Sequence, residues 1–119
     1  MTGNEMLKRA LTLLGYCDAE GNVAGEQRMK LRALSVINTV YSDLFYALYD
    51  KGFEPLISLT QTIELPERVL ADVMPYGVAS FLALGESDGD NQQLYTVLYN
   101  RKRGAINRQT LVQDVLPTV

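Results

Sequence analysis

Residues 53–65 carry an alternating pattern that is typical of a β-strand, in a chain whose other patterns are helical. In the segment FEPLISLTQTIEL, the apolar residues Ile57, Leu59, Ile63 and Leu65 would point to one side and the polar residues between them to the other. A single strand is not stable alone, and its backbone polar groups need partners. We therefore predict that this segment, the link, pairs with another part of the chain or with a second copy.

Helical patterns surround the link on both sides. They predict four helices, at about residues 3–14, 26–49, 66–84 and 91–105, the third with Pro66 at its first position. Pro75 removes a backbone donor and is expected to kink or split the third helix. The fold class predicted is all-α: a small bundle of about four helices with one extended strand-like link and an extended C-terminal tail. The predicted domains are a helical domain, 1–106, and a tail or arm, 107–119.

Local signals set the ends of several helices. Thr2 and Glu5 have the spacing of a capping box, and Gly15 is a natural stop for the first helix. Asp90 is predicted to cap the last helix. The stretch YGVASFLAL, residues 76–84, is almost wholly apolar and contains small residues. It is therefore predicted to lie at the centre of the bundle.

Composition argues against an enzyme. The 119 residues include no histidine and a single cysteine, Cys17, so the commonest general base and the common metal-ligand sets are missing. Motifs for phosphate binding, zinc hydrolysis and nucleophilic catalysis are also absent from the sequence. We therefore expect no catalytic residue, no cofactor and no metal. Since no apolar run reaches the roughly 18 residues of a membrane span, we also expect no membrane partner.

A basic cluster stands out against the formal net charge of −3. It consists of Arg101, Lys102, Arg103 and Arg108. Positive charge suits the C-terminal end of a helix, which is one interpretation. Contact with an acidic partner surface or with DNA phosphates is the other.

The order of these segments resembles a known family. A first helix ends in LLGY, and a long helix contains LRALSVINTVYSDLFY. The link PLISLTQTIELPERV leads to the apolar YGVASFLALGESD and then to QQLYTVLYNRKRGAI. Over about residues 4–106, this order is similar to that of the small head–tail connector proteins of tailed bacteriophages and prophages. These are also called head-completion or adaptor proteins.

The resemblance implies a structural virion protein of the neck, made in the host cytoplasm before assembly. Such proteins form a ring beneath the portal, of about 12–13 copies, that extends the DNA channel and receives neck or tail-completion proteins. The link would project from the bundle, and the last helix and the tail would meet the portal. The basic residues Arg101, Lys102, Arg103 and Arg108 would then face the portal or the DNA. The family lends no catalytic residue.

In a ring, each subunit makes a head-to-tail contact with the next, so it needs two different surfaces, one for each neighbour. The candidates for subunit contacts are apolar residues of the link and of the tail. They are Leu56, Ile57, Leu59 and Ile63 in the link, and Leu111, Val112, Val115 and Leu116 in the tail. Burial of such groups would supply the energy of assembly.

Three other functions are compatible with the sequence. The first is a helical protein–protein interaction module of a bacterial regulator or toxin–antitoxin pair, which would form a small stable oligomer. The second is an enzyme with a pocket of perturbed carboxylates. The third is a nucleic-acid-binding bundle that uses the basic cluster, although the acidic charge balance argues against it.

Overall fold

Helices form the whole framework of the described chain. The computed structural model describes residues 1–18, 20–23 and 25–115, with side chains as far as Ile106. The helices are α1 (Gly3–Leu14), α2 (Glu26–Leu48), α3 (Glu67–Asp72), α4 (Met74–Gly85) and α5 (Gly89–Val115). The all-α prediction is confirmed. The third predicted helix is divided into the two segments α3 and α4.

The start of α1 has the predicted capping box. The Glu5 N–H donates to Thr2 Oγ1 at 3.2 Å, and the Thr2 N–H donates to Glu5 Oε1 at 3.2 Å. Gly15 ends the helix in the left-handed region, at φ 73°, where a side chain would be strained. Both ends of α1 are therefore fixed by residues that the sequence identifies.

The split between α3 and α4 occurs at Val73, two residues before Pro75. Pro75 lies in the first turn of α4, where its missing N–H has no helical acceptor to lose. Pro66 was predicted at the first position of the third helix, but it lies one residue earlier, as the N-cap of α3. Its carbonyl accepts from the N–H groups of Val69 and Leu70.

Helix α4 is the centre of the bundle and contacts all four other helices. Val78, Ala79, Leu82 and Ala83 are fully buried, as the sequence predicted for this stretch. The stretch is not buried on every side, however. Phe81 is 38% exposed and Leu84 is 59% exposed, because one face of the helix points away from its neighbours.

Close packing at Gly77 fixes how α4 meets two neighbouring helices. A Cβ atom at Gly77 would lie 2.8 Å from Tyr99 Cε1 on α5 and 3.0 Å from Val40 Cγ1 on α2. Further along, the Arg32 guanidinium of α2 occupies the space beside Gly85, at the other end of α4. Helix α4 therefore runs antiparallel to α2. A short turn, residues 86–88, also makes it antiparallel to α5.

Helix α5 is longer than predicted at both ends. Its 27 residues correspond to about 40 Å of helix, which accounts for much of the 53 Å longest dimension of the molecule. The backbone continues as helix through the predicted domain boundary at residue 106, as far as Val115. The predicted cap, Asp90, lies inside the helix. Asp88 accepts from the Asn91 N–H through its side chain and from the Gln92 N–H through its carbonyl.

One stretch, Glu67–Gly85, is long and apolar enough to cross a membrane, with a mean hydropathy of 1.2. In the structure this stretch is the pair α3–α4, interrupted at Val73. Of its most apolar window, 61% is buried inside the bundle. Burial in the protein core accounts for the same composition.

Replacement of Gly77 tests the packing of α2, α4 and α5. The Gly77→Ala variant should lose about 1–3 kcal/mol of unfolding free energy, because the new methyl group overlaps Tyr99 and Val40. Gly104→Ala is the matched control. A Cβ there meets no atom within 4 Å, and alanine favours a helix over glycine by about 0.5–1 kcal/mol. In urea unfolding, Gly77→Ala should lower the free energy of unfolding and Gly104→Ala should raise it. Equal changes in the two variants would contradict this account of the packing.

Candidate interaction surfaces

The link does pair with another part of the chain, but not as a strand. Over the described residues it makes a single bridge, Thr2 to Thr62, and residues 58–61 form a turn. Its partner is the start of α1. The Gly3 N–H donates to the Gln61 carbonyl at 3.1 Å and the Asn4 N–H to the Leu59 carbonyl at 2.9 Å. The first donors of α1, which have no partner inside a helix, are thus satisfied by the link.

The turn explains why the alternation of the link did not produce a strand. Gln61 Oε1 accepts from the N–H groups of both Ile57 (2.5 Å) and Ser58 (3.0 Å). This side-chain acceptor closes the backbone on itself at the point where a strand would continue. Gly3 allows a close approach on the other side, since a Cβ there would lie 3.0 Å from the Leu59 backbone.

Asn38 of α2 holds the link through both atoms of its amide. Its Nδ2 donates to the Leu56 carbonyl at 2.9 Å, and its Oδ1 accepts from the Leu56 N–H at 2.8 Å. One turn further along α2, the Tyr41 hydroxyl accepts from the Glu64 N–H at 3.1 Å. These bonds attach the link to the bundle near both of its ends.

Aromatic contacts strengthen the first of these attachments. The Phe53 ring lies 5.0 Å from that of Tyr41, nearly perpendicular to it, and 5.6 Å from that of Phe45, measured between ring centroids. Tyr46 and Tyr49 pack at the edges of the same group. The end of α2 and the start of the link therefore form one apolar cluster.

The structure separates the four interface candidates of the link. Leu56 and Ile63 are buried in the core, so the prediction that they form a surface for a neighbour is wrong for this structure. Two sets of bonds hold the link backbone against the bundle: the two bonds between Asn38 and Leu56, which we call the Asn38 clamp, and the pairing with the start of α1. The side chains of Leu56 and Ile63 therefore pack inside. Leu59 is half-buried, and only Ile57 is fully available, at 83% exposure.

The candidates of the tail cannot be placed in the same way. Leu111, Val112 and Val115 belong to the helical backbone of α5, but their side chains, like that of Arg108, lie outside the described part. Leu116 lies wholly outside it.

A groove of about 350 Å³ lies between the link and the end of α2. We call it the link groove; it is lined by Tyr41, Phe45, Lys51, Gly52, Glu54, Pro55, Leu56, Gln61, Thr62 and Glu64. The carboxylates of Glu54 and Glu64 take part in none of the ion pairs of the described residues. The Lys51 ammonium is placed over the Tyr49 ring, 5.1 Å from its centroid. The groove is therefore acidic and solvent-accessible.

The three members of the basic cluster with described side chains, Arg101, Lys102 and Arg103, do not form one surface. Lys102 Nζ lies 3.0 Å from Asp72 Oδ1 on α3, and 4.8 Å above the centroid of the Tyr76 ring. Arg103 Nε donates to Asp43 Oδ2 on α2 at 2.7 Å. Arg101, in contrast, is exposed. Two of the predicted portal- or DNA-facing residues thus bind the protein's own carboxylates.

Asp43 is shared by two donors from α5. The Tyr99 hydroxyl donates to the same Oδ2 atom at 2.6 Å, beside Arg103. Burial raises the pKa of Tyr99, and its bond to Asp43 raises it further. The bond to Asp43 also raises the pKa of Arg103. This network ties α5 to α2, and it was not foreseen from the sequence because Asp43 lies 56 residues before Tyr99.

A second polar contact closes the other end of the bundle. The Tyr16 hydroxyl donates to Asp88 Oδ2 at 2.8 Å, and Asn91 Nδ2 donates to the same atom at 2.7 Å. Burial, and then the bond to Asp88, raise the pKa of Tyr16 to about 12. The bond from Tyr16, followed by those from Asn91, lowers the pKa of Asp88.

Exposed apolar side chains lie mainly on α5 and on the outer face of α4. Leu94 and Val97 are each 50% exposed, and with Arg101 they share one face of α5 at helical spacing. The sequence did not single out Phe81, Leu84 and Leu31 (86% exposed), which also reach solvent, because the exposure of an apolar side chain depends on the neighbours of its helix.

No group of three or more potential metal ligands comes together among the residues whose positions are described. Comparison with protein families, with curated proteins and with solved structures found no match. The function is therefore inferred from these surfaces.

Removal of the Asn38 amide should release the link. Asn38→Ala leaves the N–H and carbonyl of Leu56 without their partners, so the free energy of unfolding should fall by about 1–3 kcal/mol. Hydrogen exchange at the Leu56 amide should become faster than in the wild type. Asn100→Ala, at an exposed position of α5, should change stability by less than about 0.5 kcal/mol. Unchanged exchange at Leu56 would mean that the clamp does not hold the link.

Alkaline pH should weaken the fold through Tyr16 and Tyr99. Both have folded-state pKa values above the ordinary 10.0. The stability they contribute is therefore complete below pH 10 and is lost as pH rises through the higher folded-state values. In an absorbance titration of the seven tyrosines, Tyr16 and Tyr99 should ionise late, and Tyr16→Phe should remove one late group. Ionisation of all seven near pH 10 in the folded chain would contradict this prediction.

Proposed function

We propose that this chain is a structural neck protein of a tailed bacteriophage or prophage. It forms a ring under the portal, joins head to tail and extends the DNA channel. The observation that carries the proposal is the α5 stripe of Leu94, Val97 and Arg101, an uncovered face on a helix about 40 Å long. Such a face on a small all-α bundle suits a protein that functions by binding other proteins.

The order of the sequence segments supports the same proposal. A short helix, a long helix, an attached link, a buried helix and a long last helix follow each other, as in the connector proteins that the sequence resembles. The bundle keeps the link against α1 and α2, and Ile57 is its exposed apolar residue. In the proposed ring, the link meets a neighbouring subunit at Ile57, while its other apolar residues stabilise the monomer.

The charge balance suits a channel through which DNA must pass. A net charge of −3 gives little overall attraction to phosphates. The basic side chains Lys102 and Arg103 are neutralised locally by Asp72 and Asp43. Strong non-specific binding would hold the genome in place, so a weakly charged lining favours its movement. Of the basic-cluster residues with described side chains, Arg101 is then the one best placed to meet an acidic surface of the portal.

The test is electron microscopy of the purified full chain, alone and mixed with the portal protein of the same genome. A closed ring, or added density on the outer end of the portal, is expected. Compact small particles that do not bind the portal would overturn the proposal. They would favour a helical interaction module of a bacterial regulator instead.

Charge reversal at Arg101 should weaken docking to the portal without loss of the fold. Arg101→Glu alters an exposed side chain, so the melting temperature should stay constant while the dissociation constant rises about tenfold. Lys30→Glu, on the different helix α2, is the control, because Lys30 is exposed and its ion pair is the exposed one with Glu26. Arg103→Glu is unsuitable as a probe, since it would break the Asp43 network. Equal binding by Arg101→Glu and the wild type in moderate salt would show that Arg101 is only a solvated charge.

A further inference from the structure

The outer face of α1 carries two positive charges that have no role in the bundle. Lys8 and Arg9 are exposed and take part in none of the ion pairs of the described residues. They line a shallow depression with Met1, Glu5, Thr12 and Leu13. The surface is therefore basic, and Met1 and Leu13 give it apolar edges.

The link face has the opposite character. We define it as Glu54 and Glu64, the carboxylates of the link groove, with the adjacent Ile57. Both carboxylates are exposed, and Ile57 is 83% exposed beside the lining residue Leu56. With Lys51 of the link groove and Glu5 of the α1 depression included, the link side stays acidic and the α1 side stays basic, and each also offers apolar groups.

Both surfaces are held in shape by the monomer. The inner side of α1 packs Leu7, Ala10, Leu11 and Leu14 into the core, which fixes the direction of Lys8 and Arg9. The Asn38 clamp and the Tyr41 bond hold the link face. Little backbone freedom remains to be lost on contact, which favours association between such surfaces.

We propose that the α1 outer face of one copy docks on the link face of a second copy. The contact joins two different surfaces, so each copy still has one of each to offer. Repetition of such a contact closes into a ring when the rotation between copies allows it. The inference rests on the proposed function for the ring, and it names the subunit contact within that ring.

Cross-linking between copies tests the contact directly. Two full-length variants are prepared in a Cys17→Ser background, Lys8→Cys on a tagged chain and Glu54→Cys on an untagged chain. A short bismaleimide should join them at a yield about fivefold above that of the control pair, Lys8→Cys with Glu20→Cys. Glu20 is exposed and lies outside the link groove. Equal yields for the two pairs would overturn the proposal.

A charge exchange provides the second measurement. Lys8→Glu/Arg9→Glu should reduce the cross-linking of suitably labelled chains about tenfold, as should Glu54→Lys/Glu64→Lys, because like charges then face each other. A mixture of the two double variants should restore it, since opposite charges meet again. For labels, Thr12→Cys and Thr62→Cys replace the earlier cysteines, which would otherwise remove the charges under test. If the cross-linking yield of the mixture stays low, these charges do not specify the contact.

These experiments use the isolated chain, so they separate the two proposals. Specific cross-linking without portal binding would leave the subunit contact in place and remove the neck function. Portal binding without specific cross-linking would keep the neck function and overturn the α1–link contact.

Discussion

The close approach of α2, α4 and α5 at Gly77 is the constraint on which the rest of the structure depends. Because Gly77 has no side chain, Val40 and Tyr99 reach the surface of α4, and α4 can serve as the common core of the bundle. This approach also brings Tyr99 and Arg103 within reach of Asp43. The polar network across α2 and α5 is thus a consequence of apolar packing. Its two donors in turn stabilise the carboxylate that they share.

The link shows how a peripheral segment becomes part of such a bundle. Its apolar residues divide between core and solvent, as Leu56 and Ile57 demonstrate. Its backbone supplies acceptors for the first turn of α1, and Asn38 supplies both a donor and an acceptor in return. One segment thereby completes the capping of a helix and still presents an exposed side chain. Stability and contact with partners are served by neighbouring residues of the same link.

The candidate surfaces share a physical character: their exposed groups lie on elements whose other side is held in the bundle. The α5 stripe, the α1 outer face and the link face are all backed by buried residues of the same elements. A partner that binds them need not order the chain first, which limits the entropic cost of association. The proposed connector role and the proposed subunit contact both depend on this property. Portal docking would use the α5 stripe, and the subunit contact would use the α1 outer face and the link face, so a single chain can carry both.

The sequence by itself determined the helices, since their signals are local. The capping box of Thr2 and Glu5, the stop at Gly15 and the break near Pro75 all depend on residues within one turn. The link shows where local signals end. Its alternation predicted a strand, but bonds from Asn38 and from the start of α1 decided its conformation. The same applies to charge: Arg101, Lys102 and Arg103 are alike in sequence. Only the tertiary structure, which places Asp72 and Asp43 beside two of them, decides which one remains for a partner.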